Sequence, residues 1–427
     1  MLRRLESLKA LTLSPLICPI IQSYKTSTIL STTKMSSEIG IEEHRQEVLR
    51  VCSYHRSDFA LALVHAPPYK IQAVAPLLQT HFTTPSKHDP PFGLGVLDLL
   101  TPELLVNVLL QLDIVSYLRF RRVNRRARVI ATHLHEYKLV SKHGLEGLEA
   151  ILRTRLGEDF TIKHLYDSLV TYSCKVCGDF GSLLYLPDCT RCCFACLRSA
   201  PELNMTSSIC SFNKLAHIMG ISRSELERKL GPVLHRVPGN CLLGSSGHCC
   251  AGNRLVQTRQ FDAVLKSLGP WERAFAENLH SRGNGYCDQL ASATVYPWYN
   301  AKRAEADRGV SCSGIQLHLE RTVTIYMIEP TDERKHRDLV FSRAGFLQHF
   351  KTCGFAQDLW ARRDIKSAER ESLFIRNGGI LPEEDERGPL PGIRCRWPTR
   401  RRDGSLISRP LTIDDVTNQP SPFRPQR

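Results

Sequence analysis

The stretch "LLTPELLVNVLLQLDIVSYLRFRRVNRRAR", residues 99–128, decides the fold. Thr101 can cap a helix, Pro102 sits in its first turn where a missing N–H costs nothing, and Glu103 complements the dipole. Leu104, Val108 and Leu112 form an i, i+4, i+8 row, and Leu105 and Leu109 form the row beside it. Asp113 can cap a second short helix carrying Val115 and Leu118. Asn124 can cap a third with Ala127 and Ile130 on its inner face. Three helices on such tight links make a bundle of about forty residues, too few for a self-sufficient core. The bundle therefore has to lean on something else.

Working outward, Leu145, Leu148 and Leu152 predict one amphipathic helix, and Ile162, Leu165, Tyr166 and Leu169 predict another behind a Thr161 cap. "LAHIMGISRSELERKL", residues 215–230, reads as helix, Gly220 stop, then a helix with Ser222 and Glu225 in capping-box spacing. Residues 231–300 are turn-rich and read as linker-like. Residues 301–325 read as extended and 341–360 as helical, together a small α+β segment over 301–360. Residues 361–427 read as a basic, Pro-rich disordered tail. Upstream, 41–92 reads as a poorly defined, loosely packed lead-in, and 1–40 as a leader or disordered extension. The expected fold is mainly α: a three-helix domain at 93–135, a helical platform at 136–230 with a small zinc-stabilised α+β segment, further helices, and disordered ends.

The totals narrow the class. In 427 residues there are 16 cysteines, too sparse for a disulfide scaffold, which is short and cysteine-dense. The expectation is reduced thiols in cytoplasm or nucleus. Residues 1–34, Ser-, Thr- and Leu-rich with Glu6 as their one acid, fit either a mitochondrial transit peptide or an extension ahead of a start at Met35. No apolar run approaches the ~18–20 residues that span a bilayer, so no membrane partner is expected. A net charge of +14 permits nucleic acid or an acidic protein without choosing between them.

"CKVCGDFGSLLYLPDCTRCCFAC", residues 174–196, holds six cysteines in 23 residues. Cys174-x2-Cys177 followed by Gly178 is a turn in which two thiolates face one ion while backbone N–H groups point at sulfur. A second pair follows, either Cys189-x2-Cys192 or Cys193-x2-Cys196. This spacing predicts one structural, tetrahedral zinc ion, with Cys174, Cys177, Cys193 and Cys196 as its chosen ligands. Lys175, Arg191 and Arg198 are expected to offset the thiolate charge. A redox CxxC needs a helix start in a βαβ context, which is absent here. No His or Glu is spaced to activate a zinc-bound water.

The 99–128 stretch resembles the F-box, through which substrate receptors attach to the Skp adaptor of cullin–RING ubiquitin ligases. Leu100, Glu103, Leu104, Leu105, Val108, Leu109, Leu112, Asp113, Leu118, Val123, Asn124 and Arg125 carry the likeness. Thr101 departs from it, standing where proline is usual, with proline displaced to Pro102. The resemblance implies adaptor contacts from Leu100, Pro102, Leu104, Leu105, Val108, Leu109, Leu112, Leu118 and Val123. With the cysteine stretch and the helices behind it, residues 96–360 resemble a class of filamentous-fungal F-box proteins. That class also carries a C-terminal CxxC followed by His-x3-Cys. Here Ile315 replaces the second cysteine after Cys312, while His349-x3-Cys353 is present, which implies at most a degenerate second site of Cys312, His349 and Cys353.

The resemblance implies a non-enzymatic adaptor subunit of a Skp–cullin–F-box ubiquitin ligase, presenting an unknown protein client for ubiquitin-dependent degradation. The sequence contains no G-x-G-x-x-G, Walker A, H-E-x-x-H or G-x-S-x-G motif. The alternative is a zinc-containing nucleic-acid-binding protein using the helix-turn-helix-like 215–230, with Arg223 and Arg228 on phosphates, and the Arg-rich 119–128. Nucleic acid is not the expected partner, because glycine stops and serine caps serve any helical hairpin.

Overall fold

The computed structural model describes residues 43–65, 68–79, 93–208, 212–237, 254–270, 285–326, 336–365, 371–379, 381–382 and 399–400. The chain is mainly helical with small two- and three-stranded sheets. It opens with α1 (Arg45–Cys52), β1 (Ser53–Tyr54), α2 (Ser57–Ala62) and α3 (Pro68–Gln79). The central bundle follows as α4 (Pro102–Gln111), α5 (Ile114–Phe120), α6 (Arg125–His133), α7 (His135–His143), α8 (Leu145–Arg153) and α9 (Ile162–Val170).

The expected caps form. Thr101 accepts from the Leu104 N–H at 3.5 Å, Asp113 from Ser116 at 2.8 Å and Asn124 from Ala127 at 2.8 Å. Thr161 and His164 make a reciprocal capping box on α9. Leu105, Leu109, Ile114, Tyr117 and Ala131 belong to the same core as Leu148, Ile151 and Leu165 of α8 and α9. Tyr117 donates to the Ala131 carbonyl at 2.6 Å, and the Ile114 N–H donates to Phe160 at 2.8 Å. The bundle is thus completed from outside itself, as its size requires, each fully buried aliphatic side chain contributing about 1.5–3 kcal/mol.

Behind the bundle lies the cysteine segment: β2 (Leu183–Tyr185), β3 (Thr190–Cys192) and α10 (Phe194–Ser199). Next come β4 (Met205–Ser208), α11 (Phe212–Ile218), α12 (Arg223–Leu230), β5 (Leu234–His235), β6 (Arg254–Gln257), α13 (Thr258–Lys266), α14 (Gly285–Leu290) and β7 (Ala293–Val295). The first sheet runs β3-β2-β7, with Leu183 opposite both Cys192 and Val295. β7 corrects the linker-like reading of 231–300: its residues complete the sheet that backs the cysteines. The α11–α12 hairpin turns at Gly220, φ +63°, a conformation glycine adopts without strain. It packs with β6 and α13 through Leu226, Leu230, Val256 and Phe261.

The C-terminal part comprises β8 (Trp298–Asn300), β9 (Glu305–Asp307), β10 (Ser311–Cys312), α15 (Ser313–Tyr326), α16 (Arg343–Thr352), α17 (Gly354–Ala361) and α18 (Leu373–Arg376). Two expectations are corrected here. Within 301–325, expected as extended, the chain is helical from Ser313 onward (α15), with Ile315 and Leu319 buried. The lead-in is not loose throughout: Val48, Val51 and Cys52 are buried with Val310, Phe346 and Phe350, and β1 pairs antiparallel with β10, Ser53 opposite Cys312. Within the expected tail, Phe374 and Ile375 are buried against Tyr54. The leader 1–34 and Met35 lie outside the described residues.

Candidate functional site

α4 carries apolar side chains on two faces. Leu105 and Leu109 are 6% and 1% exposed, whereas Leu104 and Val108 are 52% and 43% exposed. A helix with a second, solvent-facing apolar row has more apolar surface than its own core uses, the mark of an interaction site. The 3-10 turn Gly95–Leu99 ahead of α4 adds Val96 and Leu99, both largely exposed. It is held to the start of α6 by Asn124 donating to the Gly93 carbonyl at 3.1 Å and by an Arg126–Asp98 ion pair at 2.7 Å. Val123, 69% exposed, immediately precedes that helix start.

Of the side chains assigned to adaptor contact, Pro102, Leu104, Val108 and Val123 are exposed, and Leu100, Leu112 and Leu118 are half-buried. Leu105 and Leu109 are core residues, which corrects their assignment to the docking face. Val96 and Leu99 escaped the sequence reading, although an apolar run directly ahead of a helix cap was the available signal.

The arginine-dense run is not a uniform stripe. Arg121 is buried, its Nε donating to Thr132 at 3.1 Å and its Nη2 to the Leu77 and Leu78 carbonyls at 3.0 and 2.8 Å. It holds the last turn of α3, helped by Tyr137 donating to the Leu78 carbonyl at 3.0 Å. On α12, Arg223 pairs with Glu227 at 3.0 Å, and Arg228 lies 4.0 Å from Glu225.

The four chosen cysteines converge. The sulfurs of Cys174, Cys177, Cys193 and Cys196 all lie within 4.8 Å of one another, and Cys177 and Cys193 are 3.7 Å apart. Zn–S bonds of about 2.3 Å give a tetrahedron with edges of about 3.8 Å, so this donor set fits zinc. Each half is built alike. The Val176 N–H points at Cys174 Sγ and the Cys196 N–H at Cys193 Sγ, both at 3.4 Å. Gly178, φ +81°, closes the first turn, and the Lys175 N–H ties it to β3 through the Arg191 carbonyl at 2.9 Å. Without a cation the four thiols cannot all ionise. Their mutual hydrogen bond draws the Cys174 thiol down and pushes Cys193 up, an arrangement a divalent ion resolves by taking every sulfur as thiolate. Four protein ligands would leave no open position, so an ion held by this group would serve to hold the fold.

Cys189 and Cys192, the alternative register, stand outside this group. Both are buried, Cys192 as the last residue of β3, and burial pushes the Cys189 thiol up to about 12 and raises Cys192 as well. The cations expected to balance the thiolates are engaged elsewhere. Lys175 faces Asp188 at 3.6 Å, and Arg198 pairs with Asp338 at 2.7 Å. The buried Arg191 guanidinium donates to the carbonyls of Ser168 (2.8 Å), Gly181 (2.5 Å), Tyr296 (2.8 Å) and Pro297.

Cys312, His349 and Cys353 also converge, their ligand atoms within 4.8 Å. Between the N-terminal segment, α8 and β7 lies a cavity of about 690 Å³, bordered by Phe59, Val64, Glu146, Arg153, Val295 and Arg308. Among the described residues, no helix is long and apolar enough to cross a membrane.

Residues 97–139 match the F-box domain family. The matched span runs from the 3-10 turn through α4, α5 and α6 into α7, and contains every exposed apolar side chain described above except Val96. No curated protein and no solved structure matches the chain. F-box domains in general bind Skp-type adaptors in SCF-type ubiquitin ligases.

Proposed function

We propose that this chain is a substrate-receptor subunit of a Skp–cullin–F-box ubiquitin ligase. It docks the Skp adaptor through Leu99, Leu104, Val108 and Val123, and reaches the cullin through that adaptor. The observation that carries this reading is the second apolar row of α4, exposed on a helix whose other row already fills the core. The adaptor it calls for is apolar at its centre and tolerant of salt, since the row contains no charge.

The chain catalyses nothing itself in this account. It holds a protein client close to a charged conjugating enzyme and so raises the effective concentration of the client's lysines. The zinc centre supports that role by fixing the sheet and α10 against the helices behind the F-box. The client is a protein, and the cavity between the N-terminal segment, α8 and β7 is the concave surface offered to it. The test is co-purification with a Skp adaptor, compared between wild type and a variant carrying a charge on the exposed row.

A further inference from the structure

β7 is an edge of the sheet β3-β2-β7, and its pairing with β2 fixes which way each main-chain group points. The Tyr296 N–H donates to the Ser182 carbonyl at 3.1 Å, and the Leu186 N–H to that of Ser292 at 2.9 Å. Hydrogen-bonded pairs alternate along an antiparallel ladder. Ala293 and Val295, opposite Tyr185 and Leu183, therefore turn their N–H and C=O groups away from β2. On that outer side the Ala293 carbonyl meets the Val64 N–H at 2.9 Å. Val295 is half-buried, yet nothing among the described residues pairs with its main-chain N–H or C=O. Native folds usually cover, twist away or charge such an edge. Here it borders the cavity of about 690 Å³, whose apolar wall Val295 shares with Phe59, Val64, Leu183, Val310 and Val340. The charged side chains around the cavity are already paired: Arg308 with Glu146 at 2.5 Å, Arg153 with Glu149 at 3.7 Å, and Arg56 with Asp58 at 2.6 Å and Asp338 at 3.3 Å.

We propose that this cavity takes an extended, uncharged peptide segment of the client, which adds itself to the open edge of β7 at Val295. The proposal rests on the reading of the chain as a receptor for protein clients. A peptide residue opposite Val295 gives its N–H to the Val295 carbonyl and accepts the Val295 N–H on its own carbonyl, the exchange that defines β-augmentation. An open donor and acceptor on one residue match a peptide unit, which presents both groups, better than an apolar small molecule, which presents neither. The pairing is one residue long. Val64 already occupies the edge at Ala293, and Pro297 beyond Tyr296 has no N–H to offer. Alternate side chains of an extended segment share a face, so the apolar wall selects an apolar side chain there. A charged one would have to displace an existing ion pair. The volume lies within the roughly 300–1,000 Å³ of ligand-binding clefts, room for a short segment and not for a folded domain.

The test pans a displayed library of random linear dodecapeptides on the full-length chain, with no adaptor present. Enriched peptides share an apolar residue with uncharged neighbours. Their affinity falls at least tenfold in Ala60→Trp, which fills the cavity from α2, and in Val295→Pro, which removes an N–H that the sheet does not use. If either variant does not fold, N-methylation of the peptide decides on the wild-type chain. One N-methyl position lowers affinity at least tenfold, and the positions on either side of it do not. No enrichment overturns the proposal, as does undiminished binding to a folded Ala60→Trp protein or a peptide indifferent to N-methylation at every position. The two readings fail separately. Peptide binding by a chain that ignores the Skp adaptor contradicts the ligase reading alone, and co-elution with the adaptor without peptide binding overturns the β7 site alone.

Discussion

Leu104 and Leu105 are chain neighbours on one helix, yet Leu104 stands at the surface, 52% exposed, and Leu105 is sealed in the core at 6%. Leu104 is surplus to the fold and Leu105 is required by it. Stability and docking are therefore separable on α4. Leu109→Ala should cost about 2–5 kcal/mol, the usual range for a core leucine. Val108→Ala, one residue away, should change stability by less than about 1 kcal/mol. Denaturant titration of the two variants checks the contrast.

Removal of the caps should be felt in proportion to their geometry. Asn124→Ala and Asp113→Ala should each cost about 0.5–2 kcal/mol, read from thermal melts. Asp113 adds a pH signature. Burial pushes its carboxyl up, but hydrogen bonds from the Ser116 side chain and from backbone N–H groups outweigh that and hold its pKa below the ordinary 3.8. A lowered folded pKa means the contribution is complete above 3.8 and is lost as pH falls further. The stability difference between wild type and Asp113→Asn should narrow in that acidic window and stay constant above it.

The cysteine registers separate by metal content. Cys177→Ser should lose the ion of the four-thiolate centre. Cys189→Ala and Cys192→Ala should keep it, while each loses about 1–2 kcal/mol of packing. Zinc analysis of the three purified proteins distinguishes them. Retained zinc in Cys177→Ser together with lost zinc in Cys189→Ala would reverse the ligand assignment.

Arg191 should prove irreplaceable by lysine. Its planar fork serves four carbonyls at once, and an ammonium has neither the reach nor the donor geometry. Arg191→Lys leaves buried carbonyls unpaired and should cost about 2–4 kcal/mol, visible as a lower denaturation midpoint with zinc content unchanged.

The caps were legible in the sequence because Thr101, Asp113, Asn124 and Thr161 act within four residues of themselves. The cysteine spacing allowed two registers, and the chosen one is the one that converges. What escaped reading was non-local or misleading in period. Ile315, Leu317 and Leu319 alternate with Gln316, His318 and Glu320, a strand pattern, yet the segment is helical. Its buried Gln316 is satisfied by accepting from Tyr54 at 3.3 Å and donating to Glu320 at 2.7 Å. The lead-in looked loose because the partner of Ser53 is Cys312, far along the chain. That Leu105 and Leu109 face inward and Leu104 and Val108 outward was not readable, since both rows are equally apolar.

The most direct measurement of the central claim is co-elution of the full chain with a Skp adaptor at moderate and high salt, beside a Leu104→Asp/Val108→Asp variant. The account predicts salt-resistant co-elution of wild type and its loss in a variant that melts as wild type does. A folded, zinc-loaded wild type that ignores the adaptor, or a variant that still binds it, would contradict the account.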